Sequence, residues 1–162
     1  MLSPLLTATV LKMKPSLNSL SANYQNKIAK CMTFENNTRG ISAMEIFEKI
    51  GYCMEKIDAI RLLGNVLDTA LSLLNNTERR IITEVYVNGL TQNEVMLDMG
   101  LSESKLRNTQ KYAFKKMRNY IVFLGFDEKK IMSCFKDERP FLKHLCEVNR
   151  ILSKEDKDGQ TD

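Results

Sequence analysis

Apolar residues between positions 57 and 74 recur at intervals of three and four, and this spacing constrains the fold more than any other feature of the sequence. They are Ile57, Ile60, Leu63, Leu67, Leu71 and Leu74. An α-helix turns once every ~3.6 residues, so these side chains form one stripe along a helix. No stretch alternates between apolar and polar residues for long enough to predict a β-strand.

The amino-acid composition also favours helices. The 162 residues include only 7 Gly and 3 Pro and no Trp, whereas β-sandwiches and barrels need many turns. The length suits one domain, or a small domain with a helical extension, and excludes a multi-domain enzyme. We therefore predict an all-α helical bundle.

Capping residues divide this bundle into separate helices. Ser42 and Thr91 each precede a Glu by three residues, the spacing of a capping box. Asn75, Asn76 and Thr77 are candidate caps of another helix, with Glu78 in its first turn. Ser102 is a further candidate cap, and Asp127 and Glu128 are expected to be first-turn charges after a cap. Residues 36–41 form the first strong break, Gly89 ends a helix, and Pro140 marks a break before the last one.

Residues 91–106 have the features of two helices that meet at a tight turn. Thr91 caps the first helix, Gly100 supplies a turn residue that tolerates positive φ, and Ser102 caps the second. The residues expected between the helices are apolar: Val95, Met99, Leu101 and Leu106. This pattern predicts a helix-turn-helix.

The second helix of this motif has two distinct sides when its residues are placed at intervals of about 100°. The apolar side contains Leu106, Gln110, Ala113, Phe114, Met117, Tyr120 and Ile121. The polar side contains Ser104, Arg107, Asn108, Lys111, Lys115 and Arg118. Residues 103–118 hold six basic residues and one acidic residue, a net charge of +5 that exceeds the +4 of the whole chain. Such a concentration is typical of a surface that approaches phosphates, although a lysine-rich helix face taken alone is usually only solvated.

Residues 74–120 resemble the helix-turn-helix region 4 of bacterial sigma factors and of the sigma-like regulators built on it. The matching residues are Leu74, Glu78, Arg79, Tyr86, Gly89, Thr91, Glu94, Gly100, Ser102, Ala113, Lys115, Lys116, Met117 and Arg118. The resemblance departs from the pattern at Met96, where a small residue is usual, and no aromatic-rich basic helix for promoter melting precedes Leu74. It therefore implies a regulator of phage or mobile-element type rather than a complete sigma factor.

The motif suggests roles for individual residues. Outward residues early in a major-groove helix reach base edges, which makes Ser104, Arg107, Asn108 and Lys111 the candidates for base contacts. Lys115 and Arg118 lie later in the helix and are expected to contact phosphates. Main-chain N–H groups at Thr91 and Gln92 are candidates for one more phosphate, with simple capping as the alternative for Thr91 and Ser102.

The sequence predicts five segments. They are a poorly ordered or partly helical N-terminus (1–40), an N-terminal helical part (41–74), the helix-turn-helix DNA-binding domain (75–124), a C-terminal helical appendage (125–153) and a disordered tail (154–162).

Other residue patterns indicate neither catalysis nor metal binding. The four cysteines form no CxxC pair, so we expect reduced structural thiols. His144 and Cys146 are two residues apart and point to different faces of a helix. The apolar start of the chain lacks a preceding basic stretch and is too short to span a membrane. We expect a cytoplasmic protein with no catalytic residue, metal or cofactor.

The most probable function on these grounds is a sequence-specific transcription regulator that binds double-stranded DNA. One alternative is a protein-interaction module that docks on RNA polymerase or another regulator without reading DNA. A second is an accessory subunit in DNA packaging or recombination. A homodimer is a further hypothesis, conditional on the stripe from Ile57 to Leu74 being left uncovered by the C-terminal helices.

Overall fold

A computed structural model describes residues 1–33 and 40–158, with only the backbone described for residues 154–158. These residues contain helices and no β-strand. The helices are α1 (Pro4–Met13), α2 (Leu17–Met32), α3 (Ala43–Ser72), α4 (Asn76–Ile82), α5 (Gln92–Met99), α6 (Glu103–Phe123), α7 (Glu128–Phe135) and α8 (Arg139–Asp158). A 3₁₀ turn (Lys14–Ser16) and a π-helical turn (Thr83–Val87) complete the helical structure. The fold is all-α, as predicted.

The chain divides into two compact units. The larger unit contains Met1–Pro15 and Val66–Asp162, and the smaller unit contains Ser16–Asn65. In the smaller unit, Tyr24 of α2 and Tyr52 of α3 lie edge to face with ring centroids 6.3 Å apart. The larger unit contains the predicted helix-turn-helix.

The start of the chain forms helix α1, most of whose side chains are buried. Ser3 caps α1 by accepting a hydrogen bond from the backbone N–H of Leu6, and Pro4 occupies the first turn, where its missing N–H has no consequence. Val10 and Leu11 are fully buried. Helix α1 packs against α8, against the π-helical turn and against α6, and these contacts order it.

Helix α3 runs without interruption through Gly51 and begins at the predicted capping box of Ser42 and Glu45. Every residue of its apolar stripe from Ile57 to Leu74 is at most 8% exposed. The stripe is therefore buried, and the homodimer stays a hypothesis.

The C-terminal helices begin close to the predicted positions, but Asp127 is the cap of α7 rather than a first-turn residue, and Pro140 lies within α8 rather than before it. Asp127 caps α7 through a 2.8 Å hydrogen bond from the backbone N–H of Lys130, and Pro140 lies in the first turn of α8. Helix α8 continues to Asp158, five residues into the segment predicted to be disordered, because Lys and Glu favour the helical conformation. The remainder of that predicted tail, 159–162, and most of the predicted break at 36–41 lie outside the described residues.

Candidate nucleic-acid interface

A small apolar core holds the helix-turn-helix together. Ile81 of α4, Val95 of α5 and Leu106 of α6 are fully buried against one another. Partly buried apolar side chains surround them: Val85, Leu90, Met96, Met99 and Leu101. The predicted inward positions are confirmed, and Met96 packs at the edge of this core, where its flexible thioether fits in place of the usual small residue.

The turn between α5 and α6 has the predicted geometry. Gly100 ends α5 in the left-handed region, with φ of 63° and ψ of 34°. The backbone N–H of Leu101 donates to the carbonyl of Met96 over 3.2 Å, and the hydroxyl of Ser102 accepts from the N–H of Lys105 over 3.4 Å. These contacts fix the direction in which α6 leaves the turn.

The start of α5 is a complete capping box. The hydroxyl of Thr91 accepts from the N–H of Glu94, and the Glu94 carboxylate accepts from both the N–H and the hydroxyl of Thr91. The bond from the backbone N–H of Thr91 contributes most to lowering the pKa of Glu94 below 4.5. The Thr91 side chain and N–H are thus engaged in capping, the alternative role considered for this residue.

The predicted polar side of α6 is a solvent-facing surface over most of its length. Ser104, Arg107, Asn108, Lys111 and Lys115 are exposed. Arg107 forms a 2.8 Å ion pair with Glu103 one turn earlier, in a position that leaves both side chains open to solvent. Arg118 is only partly exposed, and its Nε atom is buried.

Lys116 does not belong to this polar surface, because its side chain contacts helix α4. Its Nζ donates to Oε1 of Glu78 over 2.6 Å, and the Glu78 side chain is only 8% exposed. The other carboxylate oxygen of Glu78 accepts from the N–H of Asn75 in the capping box of α4. One of the six positive charges counted on residues 103–118 is therefore neutralised within the fold.

A chain of polar side chains connects the π-helical turn to α6 and α5. The amide of Gln110 donates to the hydroxyl of Tyr86 over 3.2 Å, and the amide of Gln92 donates to Gln110 over 3.1 Å. The Tyr86 ring also lies 5.0 Å from that of Phe114. The Gln92 side chain is engaged in this series of hydrogen bonds. A phosphate at Gln92 would therefore contact the main-chain N–H group of that residue.

Two arginines of α4 form polar contacts with the helices that precede and follow it. Arg79 donates to the carbonyl oxygens of Leu71, Ser72 and Leu74, at the end of α3, over 2.9 to 3.2 Å. Arg80 forms a 2.6 Å ion pair with Asp98 of α5. The resemblance to region 4 singled out Arg79, whereas nothing in the sequence pattern identified the pair of Arg80 and Asp98.

The family model for sigma-70, region 4 matches residues 70–119. Residues 70–119 form a sigma-70 region 4-like helix-turn-helix. Region 4 is a DNA-binding helix-turn-helix and not an enzymatic family. The match covers less than a third of the chain and leaves α1, α2, α7 and α8 outside it. No curated protein and no solved structure matches the chain.

Outside the region 4-like segment, the described residues contain no group of three or more His, Cys, Asp or Glu side chains that could hold a metal ion. Cys31, Cys53, Cys134 and Cys146 form no disulfide bond. His144 and Glu147 lie 3.0 Å apart on α8, and this hydrogen bond lowers the pKa of Glu147. No helix in the described part of the chain has both the length and the apolar character needed to cross a membrane.

Proposed function

We propose that the protein is a sequence-specific transcription regulator that binds double-stranded DNA through α6 and acts in the cytoplasm. The observation that carries this proposal is the exposed polar surface of α6. A buried core packs the opposite side of this helix against the rest of the motif, and the Gly100 turn sets its direction. A helix presented in this way fits the major groove of B-DNA.

The positions of the polar residues along α6 suggest which of them contact bases and which contact phosphates. Ser104, Arg107, Asn108 and Lys111 occupy the first half of the helix and would contact base edges, with Arg suited to guanine and Asn to adenine. Lys115 and Arg118, one to two turns later, would contact the phosphate backbone. The main-chain N–H of Gln92, at the start of α5, would hold another phosphate.

The two alternatives differ from this proposal in the partner that α6 meets. As a protein-interaction module on RNA polymerase or another regulator, the chain would show no affinity for duplex DNA. As a packaging or recombination accessory, it would bind DNA with little sequence preference and assemble into larger oligomers. A second copy of the chain is a further candidate partner, for which an interface other than the buried α3 stripe is needed.

Selection of duplexes from a random pool tests the sequence-specific proposal. The native chain should enrich a short motif, and Arg107→Ala or Asn108→Ala should relax the preference at one or two positions, with a loss of about 5- to 100-fold for the preferred base. Lys105→Ala is the matched control, because Lys105 is exposed on the same part of α6 but outside the predicted polar side. Binding without any enriched motif would contradict the proposal.

A further inference from the structure

A concave surface lies between the start of α1 and the middle of α6. It is a cavity of about 400 Å³, whose wall on the α1 side is Pro4. On the α6 side, Lys111, Lys115 and Arg118 line it together with Asn108 and Tyr112. We call this surface the α1–α6 notch. It lies partly outside the region 4-like segment, because α1 precedes that segment by more than fifty residues.

The positive charge of the notch is uncompensated. No carboxylate lines it, and none of its three cations forms an ion pair with a described side chain. Arg107 and Lys116 of the same helix, in contrast, are paired with Glu103 and Glu78. Charges gathered in a concave site attract anions more strongly than the same charges on a flat surface, because the low-dielectric walls focus the field.

Arg118 is the least exposed of the three cations. Its Nε atom is buried and has no hydrogen-bond partner among the described residues. A buried donor without an acceptor is unfavourable by about 1–3 kcal/mol, and native proteins contain few such groups. An anion with several oxygens would accept hydrogen bonds from the guanidinium of Arg118 and from the ammonium group of Lys115 together.

The position of the notch along α6 suggests the source of this anion. Arg118 follows Arg107 by three turns, a distance of about 16 Å along the axis at about 1.5 Å per residue. The major groove is only about 12 Å wide, so a helix that places Arg107 on base edges brings Arg118 to the backbone beside the groove.

We propose that the α1–α6 notch binds a backbone phosphate of DNA, and that the start of α1 is therefore part of the DNA interface. This inference rests on the proposed function, since it requires α6 to enter the major groove. Pro4 closes one side of the notch, and Lys115 and Arg118 neutralise the phosphate. Helix α1 then has two roles, because it buttresses the helix-turn-helix through its buried side and touches the DNA with its first turn.

Substitution of Pro4 tests this inference without disturbing the fold. Pro4→Glu places a carboxylate in the notch, and Pro4→Gln places an uncharged side chain of the same shape there. Both are acceptable in the first turn of a helix, where acidic residues are favoured. We expect Pro4→Glu to weaken duplex binding about tenfold at low salt and Pro4→Gln to remain within about twofold of the native chain. Circular dichroism of both variants checks that α1 stays folded.

A double variant shows whether the effect arises in the notch. When Lys115 and Arg118 are both changed to Ala, the additional effect of Pro4→Glu should largely disappear, because interacting residues are not additive. If the native chain binds duplex DNA and Pro4→Glu binds equally well, the notch inference is wrong while the proposed function stands. If the native chain binds no duplex, both are wrong.

Inorganic phosphate distinguishes a free anion from the DNA backbone. Replacement of chloride by phosphate at constant ionic strength should change the melting temperature of the native chain and of Pro4→Glu equally. A rise specific to the native chain would mean that the notch holds free phosphate, and this result would overturn its assignment to DNA.

Discussion

Lys116 of α6 donates a 2.6 Å hydrogen bond to Glu78 of α4, across 38 positions of sequence. Glu78 is nearly buried and also accepts from the N–H of Asn75, so one carboxylate both caps α4 and fixes the distal half of α6. The helix proposed to contact DNA is thus anchored on its inner side by a charge pair that leaves its outer side free.

The Glu78 carboxylate should contribute measurably to folding. Glu78→Gln preserves the shape of the side chain but removes the charge that Lys116 meets, and we expect a loss of about 1–2 kcal/mol in the free energy of unfolding. Urea titration followed by circular dichroism measures this loss. Glu128→Gln, at an exposed position of α7, should change it by less than about 0.5 kcal/mol. Equal effects of the two substitutions would contradict a structural role for the pair.

The same pair predicts a dependence on alkaline pH. The hydrogen bond to Glu78 raises the pKa of Lys116 above its ordinary value of 10.5. The contribution of the pair is therefore complete below this ordinary value and is lost as the pH rises through the raised pKa. The difference in urea midpoint between the native chain and Glu78→Gln should stay constant up to pH 10.5 and should shrink as the pH is raised further above that value. An undiminished difference at the higher pH would exclude the ammonium as the partner.

Two glycines should respond in opposite directions to alanine. Gly100 has a φ of 63°, so Gly100→Ala forces an L-residue into the left-handed region and should destabilise the fold by about 1–2 kcal/mol. Gly51 lies within α3 with no atom within 4 Å of an added Cβ, so Gly51→Ala should stabilise by about 0.5–1 kcal/mol. Denaturant unfolding of both variants shows whether each substitution raises or lowers the free energy of unfolding. A neutral Gly100→Ala would show that the turn does not require positive φ.

The first helix should be essential to the larger unit. Leu11 is fully buried, and Leu11→Ala should lower the free energy of unfolding by about 2–4 kcal/mol. Leu97 of α5 is 86% exposed, and Leu97→Ala should have an effect below about 0.5 kcal/mol. Hydrogen exchange of α6 amides in Leu11→Ala provides a second measure, with faster exchange expected. Unchanged stability would support the poorly ordered N-terminus that the sequence suggested.

Local signals in the sequence were enough to predict the helix-turn-helix. The caps at Thr91 and Ser102, the turn at Gly100 and the polar side of α6 depend on residues within a few positions of one another. The periodicity of the apolar residues likewise predicted which side of each helix is buried. The family match to residues 70–119 confirms this part of the interpretation.

Features that depend on distant residues were not predictable in the same way. Helix α1 is ordered because it packs on α8, more than a hundred positions later, and a pattern of nearby residues cannot reveal such a partner. The position of Lys116 on a helical wheel assigns it to neither side of α6, and only the fold brings it to Glu78. The presence of Pro4 and Lys115 in the lining of one cavity has the same origin.

The central claim is that the exposed surface of α6 binds duplex DNA, and a salt titration tests it most directly. Arg107→Glu combined with Lys111→Glu reverses two charges on this surface. Lys129→Glu combined with Lys130→Glu makes the same change in net charge at exposed positions of α7, where Glu suits the first turn.

Binding of a random duplex pool should be measured for the native chain and both double variants over a range of salt concentrations. We expect the logarithm of the native binding constant to fall with the logarithm of salt concentration at a slope of about −3 to −6, as four to six phosphate contacts would give. The α6 variant should lose binding, and the α7 variant should retain most of it. No binding by the native chain at low salt, or equal loss in both variants, would contradict the claim.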